Sequence, residues 1–412
     1  MPLILYTLGI YFLRFLFQIA SLFNPKAKAF VSGRQSFFSR LKKSLEGNTA
    51  QIIWVHCASL GEFEQGRPVM EALKREFVHH KILLTFFSPS GYEVRKNYTG
   101  ADYVFYLPWD TKSNARQFVT IVNPAIAIFI KYEFWYHFSN ELKKKSIPLL
   151  SVSSIFREDQ IFFKSYGSLF RKILRNFDYF FVQNETSIRL LRLIGIRNSV
   201  YAGDTRFDRV NEVVKKKEVI PLARAFKNND KILVAGSCWN EDLEVLIPFI
   251  NENRMKFIVA PHEIDEAAIA DFEKSLDVKS VRYSVAQEAS VAEAQVLIID
   301  NIGLLSKLYQ YGEFAYIGGA FGKGLHNILE AACFGIPILF GDKNYEKFQE
   351  ATDLINRGGA FPISSYTNLI MQYEMLSVPE NFLLACEVTK AYVAENLGAT
   401  EKVTRYCHKI LK

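Results

Sequence analysis

From residue 52 onward the chain alternates short, nearly continuous apolar runs with amphipathic stretches, and it does so in two successive series. The pattern predicts strands over 52–56, 82–86, 103–106, 125–130, 148–152 and 179–182, with helical stretches such as 66–77 and 114–122 between them. A second series predicts strands over 231–235, 256–260, 296–299, 314–317 and 336–340, and the C-terminal stretch reads as helical. Strands covered by helices on both faces read as unbroken apolar runs, so this alternation predicts βαβ units around parallel sheets. Between the series, 211–230 is rich in Lys and Asn, is interrupted by Pro221, and reads as an interdomain linker. The expectation is therefore α/β: two doubly wound domains facing a cleft, with ligands at the carboxyl ends of the strands. The 412-residue length suits two or three domains of roughly 150 residues. No self-similarity at the period of a solenoid is present.

Before these series lies a different kind of sequence. Leu3 to Phe23 is apolar except where Arg14 and Gln18 interrupt it. As a helix, such a length crosses a hydrocarbon layer of about 30 Å. No basic region precedes it and no A-x-A cleavage site follows, which argues against a removable signal peptide. Arg14 at its centre would cost roughly 2.5–3.5 kcal/mol on insertion scales. Snorkelling, or lying in the interface, lowers that cost. Charge concentrates at the same end. The chain has 50 Lys and Arg against 43 Asp and Glu, a net of +7, yet its first 43 residues hold seven bases and no acid. The remainder is neutral overall, so the basic stripe that a nucleic-acid-binding domain carries is missing from the body. Lys26, Lys28, Arg34, Arg40, Lys42 and Lys43 among Phe30, Phe37, Phe38 and Leu41 suit an anionic headgroup layer on the cytoplasmic side. Residues 1–47 are thus expected to form a membrane anchor with a basic juxtamembrane segment. Domains follow over 48–210 and 211–412. Spanning and interfacial arrangements are both open.

Five scattered cysteines without a CxxC pair support neither a disulfide framework nor a zinc knuckle. Chemistry points instead to three strand exits. After the first strand, Trp54-Val55-His56-Cys57-Ala58-Ser59-Leu60-Gly61-Glu62 places Glu62 on the loop before a helix that has Pro68 near its first turn. A carboxylate there can accept a hydroxyl proton, or it can simply cap the helix. Further on, Tyr316-Ile317-Gly318-Gly319-Ala320-Phe321-Gly322-Lys323-Gly324-Leu325-His326-Asn327 is a strand and glycine loop leading into a helix with Glu330. It is no P-loop, because the spacing is one residue short and Gly324 stands where Ser or Thr binds magnesium. Its backbone N–H groups suit a phosphate, while glycines for close packing are the other reading. Ala235-Gly236-Ser237-Cys238-Trp239-Asn240-Glu241-Asp242 offers a second helix N-terminus on the same side of that sheet, converging with the first on one anion.

Taken together, these segments resemble the Kdo (3-deoxy-D-manno-octulosonic acid) transferases of lipopolysaccharide assembly. The likeness runs through His56–Glu62, Ser88-Pro89-Ser90-Gly91, Tyr106-Leu107-Pro108-Trp109-Asp110 and Glu133-Phe134-Trp135. It continues through Gln183-Asn184-Glu185, Gly203-Asp204-Thr205-Arg206-Phe207-Asp208, Gly236-Ser237, and His326-Asn327 with Glu330. What the resemblance implies is a GT-B architecture with an N-terminal membrane-anchoring helix, and inverting transfer of Kdo from CMP-Kdo to the lipid A precursor (lipid IVA). It implies no metal and no cofactor. The partners would be donor, acceptor and inner-membrane lipid, with the catalytic domains on the cytoplasmic face. Carried over, Glu62 is the general base. Gly236, Ser237, His262, Gly322, Lys323, Gly324, His326, Asn327 and Glu330 bind the nucleotide sugar, as does Arg206, which stands where many members have Lys and which, with Lys323, is a candidate cation for the leaving phosphate. One departure is Ala260-Pro261-His262-Glu263, where many members have Arg directly after Pro. Two alternatives accompany this reading: a GT-B transferase using another nucleotide sugar, and a catalytically silent membrane-bound scaffold of the same fold.

Overall fold

The structure, a computed structural model, describes residues 2–411. Its contacts divide the chain into two units, Met1–Arg209 with Leu397–Lys412, and Val210–Asn396. Each unit is built on one seven-stranded sheet in which every pair is parallel. In the first, β1 (Ile52–Cys57), β2 (Lys81–Phe86), β3 (Tyr103–Tyr106), β4 (Ile126–Ile130), β5 (Leu149–Ser154), β6 (Tyr179–Val182) and β7 (Ser199–Tyr201) run in the order β3-β2-β1-β4-β5-β6-β7. In the second, β8 (Ile232–Cys238), β9 (Lys256–Pro261), β10 (Ser280–Arg282), β11 (Val296–Ile298), β12 (Phe314–Ile317), β13 (Ile338–Gly341) and β14 (Ala360–Ile363) run β10-β11-β9-β8-β12-β13-β14. Strands β1, β4 and β5 are buried along their whole length, as helices on both faces require. The strand order turns back between β1 and β4, and again between β8 and β12. At such a switch the two following connections leave to opposite faces, opening a crevice at the carboxyl ends of the strands.

Two Rossmann-like sheets are present, as expected, with small shifts at strand ends. Three short strands, β7, β10 and β14, had no sequence signal. All lie at sheet edges and are partly exposed, so none needs a continuous apolar run. The expected linker at 211–230 is partly helical: one helix runs on to Lys216, and Pro221 opens another (Pro221–Lys227) whose Ala223 and Phe226 are buried. The chain beyond Leu397, expected within the second domain, joins the first unit. There Val403, Cys407 and Leu411 share a core with Phe63, Val69, Met70 and Leu73. Asp208 fixes the return by accepting from the backbone N–H of Gly398 (2.7 Å) and Thr400 (2.6 Å).

At the other end are α1 (Pro2–Ala20), α2 (Pro25–Ser32) and α3 (Phe37–Ser44). Helix α1 is long and apolar enough to cross a membrane by length and composition. Only Ile10 of its residues is buried, packed with Phe30 and Trp109, while Ile4, Leu5, Phe12 and Phe15 are more than half exposed. Phe17 stacks on Phe30 at 4.2 Å, and Tyr6 donates to Asp110 Oδ2 at 2.6 Å. Asp110 also accepts from the N–H of His137 (3.0 Å) and Phe138 (2.9 Å) at the start of the Tyr136–Lys144 helix. One buried carboxylate therefore caps a helix of the body and holds α1 against it.

Candidate functional site

Glu62 lies in the first turn of α4 (Leu60–Glu76), not on a loop, and Pro68 lies inside that helix rather than near its first turn. The helix starts early because Ser59 and Glu62 form a capping box at its end. Glu62 Oε2 accepts from the Ser59 N–H (3.0 Å) and from the Ser59 hydroxyl. Oε1 makes no hydrogen bond among the described residues, and the side chain is half-buried, so one oxygen caps while the other is free for a proton. The neighbouring strand exit at the switch, after β4, brings Glu133 to His56. His56 is fully buried, its Nδ1 is 2.9 Å from Thr85 Oγ1, and its Nε2 is 3.1 Å from Glu133 Oε2. The Trp135 indole donates to the same carboxylate oxygen at 2.7 Å. Desolvation pushes the buried Cys57 thiol well up, and the carboxylates of Glu62 and Glu133 add to the shift. Both acids thus project their fields onto the end of β1. A thiol in that state is a poor nucleophile.

Arg206 belongs to this first unit and is committed to Asp204. Its Nε and Nη2 each reach Asp204 Oδ2 at 2.8 Å, and its backbone N–H meets Oδ1 at 2.9 Å.

In the second unit the structure gathers three of the expected residues, His262, Lys323 and His326, around Trp239, to which the sequence assigned no role. Trp239 follows a bulge in β8 at which Ser237 takes a positive φ of 55°. Its ring stacks on His262 at 4.2 Å, and His262 stacks in turn on His326 at 4.4 Å. The indole N–H of Trp239 donates to His326 Nε2 at 3.1 Å, and Lys323 Nζ lies 3.8 Å over the Trp239 ring. Lys323, Trp239, His262 and His326 therefore form one cationic, aromatic platform at the carboxyl ends of β8, β9 and β12. Asn327 donates to Glu330 Oε1 at 3.1 Å while its own Oδ1 is buried without a partner, an acceptor available to a ligand hydroxyl or amino group. Gly236 is required by packing, since a Cβ there would sit 2.0 Å from the Tyr309 hydroxyl. Gly324 is required by its φ of 129°. Gly322 lies two residues before Gly324 in the glycine loop, beside Glu241.

The expectation of two helix N-termini converging on one anion is not met. The helix after the glycine loop is one turn, Leu329–Ala332, leaving His326 and Asn327 in the loop itself. The loop closes on itself instead, with Gly322 and Gly324 N–H donating to Gly319 O and His326 N–H to Gly318 O. The other N-terminus, of Asn240–Glu252, is occupied by the chain's own carboxylate. Asp242 is fully buried, accepts from Trp239 N–H and Gly319 N–H at 2.8 Å each, and takes the Tyr316 hydroxyl at 2.8 Å on its other oxygen. It ties the β8 exit to the glycine loop. Its signal in the sequence is an acid three residues into a helix that follows a strand and small-residue turn.

Desolvation pulls the His326 imidazole down to about 4, and the neighbouring His262 acts in the same direction. Desolvation also lowers His262, with Lys323 adding and Glu263 opposing. The stack is thus a pair of neutral rings at neutral pH. A histidine lowered on folding contributes stability above its unfolded pKa of about 6.5, and that stability is lost as pH falls toward 4. The melting temperature should therefore fall across this window, with a shallower fall in His326→Asn. Superimposable pH profiles in calorimetry would show that the ring is not held neutral.

Comparisons with known proteins place relatives along most of the chain. A family model described as 3-deoxy-D-manno-octulosonic-acid transferase (kdotransferase) matches residues 34–209. The chain is 29% identical over 346 residues to a 3-deoxy-D-manno-octulosonic acid transferase of Aquifex aeolicus, covering 82% of this chain and 89% of the relative. It is 26% identical to the Rickettsia felis protein of that name, covering 87% and 79%. Among solved structures, UDP-GlcNAc 2-epimerase from Neisseria meningitidis superposes with a TM-score of 0.62 over 87% of this chain and all of the other, at 14% identity. That likeness concerns the fold alone.

Proposed function

The chain is a glycosyltransferase homologous to the Kdo transferases, and from that premise we propose that it moves Kdo from CMP-Kdo to the lipid A precursor with inversion, using Glu62 as general base. The reading rests above all on Glu62 itself: a half-buried carboxylate at the β1 exit beside the sheet's switch point, one oxygen fixed by Ser59 and the other unpaired. The fixed oxygen orients the group, and the unpaired one accepts the acceptor hydroxyl's proton as the new C–O bond forms. On the opposite face of the anomeric carbon the bond to the phosphate oxygen breaks, and CMP departs with both electrons. CMP is a weak base, so it needs charge stabilisation more than protonation. Lys323 supplies it, because Arg206 is already neutralised by Asp204. The neutral platform of Trp239, His262 and His326 takes the flat faces of the nucleotide, and Asn327 and Glu330 meet its hydroxyls. Lys323 over Trp239, whose charge also acts on His262, answers for the missing Arg after Pro261.

Helix α1, docked by one face, offers its exposed faces to the cytoplasmic leaflet of the inner membrane, where the acceptor lies. Purified full-length protein in detergent should form Kdo-bearing product from the lipid A precursor with CMP-Kdo generated in situ. CMP should protect it against thermal unfolding and UDP should not. Protection by UDP with no transfer would put a different nucleotide sugar in the donor site.

A further inference from the structure

Between α1 and α3 a cavity of about 460 Å³ opens on the first unit, and its lining holds two arginines and no acid. Arg14 reaches it from α1, and Arg34 from the turn before α3. Arg34 is only partly exposed. Three of its N–H groups donate to backbone carbonyls, of Leu107 (2.9 Å), Phe30 (2.9 Å) and Phe87 (2.6 Å), and the rest of the fork is unspent. Around it stand the rings of Phe30, Phe87, Tyr106 and Trp109, the closest with its centre 3.7 Å from the guanidinium carbon. Among the described residues no carboxylate pairs with either arginine. Desolvation accordingly pulls the Arg34 guanidinium down to about 9, still charged at neutral pH. A buried charge without a counter-ion is costly in an ordinary protein interior.

The same cavity receives the start of α3. Ser36, at its N-cap, has a φ of 49° and makes no side-chain cap, so the N–H groups of the first helical turn have no side-chain acceptor there, and residues 36–39 line the cavity together with Arg34 and Trp109. An uncapped helix end, a fixed guanidinium fork and a second arginine from an apolar helix together match a dianionic, three-oxygen group.

We propose that this cavity is a phosphate-monoester subsite for a lipid-borne headgroup, the counter-ion that Arg34 lacks. It rests on the proposed function in that the acceptor would carry this phosphate, and it adds the residues that grip it. A larger hollow on the other flank of α1, with Lys42, Lys112 and Arg116, is lined by exposed cations on flexible stems and has no fixed fork.

The test uses the full chain with phosphatidylcholine vesicles containing either phosphatidic acid, a monoester, or phosphatidylglycerol, a diester, at equal surface charge. Phosphatidic acid should bind at least about tenfold more tightly. Arg14→Gln and Arg34→Lys should each remove most of that preference, the Arg14 variant with a melting temperature near wild type. Arg14→Gln, on an exposed face, keeps the test open should the Arg34 variant fold poorly. The double variant Lys112→Gln/Arg116→Gln should weaken both vesicles equally. Equal binding of the two vesicles by wild type overturns the proposal, as does a preference that survives in the Arg14 variant. Inorganic phosphate that competes as tightly as the headgroup overturns the lipid-borne source. Glu62→Gln should keep the preference, so a failure of the base assignment leaves this result separate.

Discussion

Glu62→Gln should lower the rate of Kdo transfer by about 10²–10⁴-fold while leaving the melting temperature within about 2 °C of wild type. The two halves of that expectation come from the two oxygens of one side chain. Oε2 closes a capping box with Ser59, a motif in which Gln serves as well as Glu. An amide keeps the hydrogen-bond geometry and removes only the basicity, so fold and catalysis separate cleanly. Were Glu62 no more than a cap, Gln would be nearly silent in the transfer assay. Near-wild-type turnover by purified Glu62→Gln therefore removes Glu62 as the base.

Asp242→Ala should destabilise the second unit by about 3 kcal/mol or more. For a unit of this size that is a fall of roughly 6–12 °C in its melting transition. Three donors converge on this buried carboxylate, the N–H groups of Trp239 and Gly319 and the Tyr316 hydroxyl. Alanine strands all of them in a site closed to water. The effect extends to binding, because Trp239 carries the aromatic platform and Gly319 begins the loop that holds Lys323 and His326. Asp242→Asn, which retains one carbonyl acceptor, should lie between. A melting curve of Asp242→Ala that matches wild type would mean that the carboxylate does not hold the two loops together.

Much of this architecture was legible in the sequence, for a physical reason. Central parallel strands are apolar on both faces, so β1, β4, β8 and β12 announce themselves, and the residues just past them are where a switch point places chemistry. What escaped had no such constraint. The edge strands β7, β10 and β14 face solvent on one side. Trp239 and Asp242 lay within a segment already quoted, but a tryptophan after a bulge and an acid at the third helical position are both common for purely structural reasons. The lengths of α4 and of the Leu329–Ala332 turn depended on hydrogen bonds made by side chains and loop carbonyls, which periodicity does not encode. Arg206 shows the same limit from the other side: a cation in a motif says nothing about the Asp204 two residues earlier that neutralises it. Arg34 reads in the sequence as one more base in a basic tail, and only its ring of aromatics and carbonyls distinguishes it.

The return of the chain at Leu397 has a bearing on how the polypeptide is made. Val403, Cys407 and Leu411 share a core with Phe63, Val69, Met70 and Leu73 of α4, so the first unit closes only after the whole of the second has been made. At about 5–20 residues per second, the intervening segment delays that closure by some 10–40 s. Throughout the interval an apolar helix and an open hydrophobic face coexist on one nascent chain. On the proposed attachment of α1 to lipid, its early capture would remove one of those two surfaces from contact with other chains.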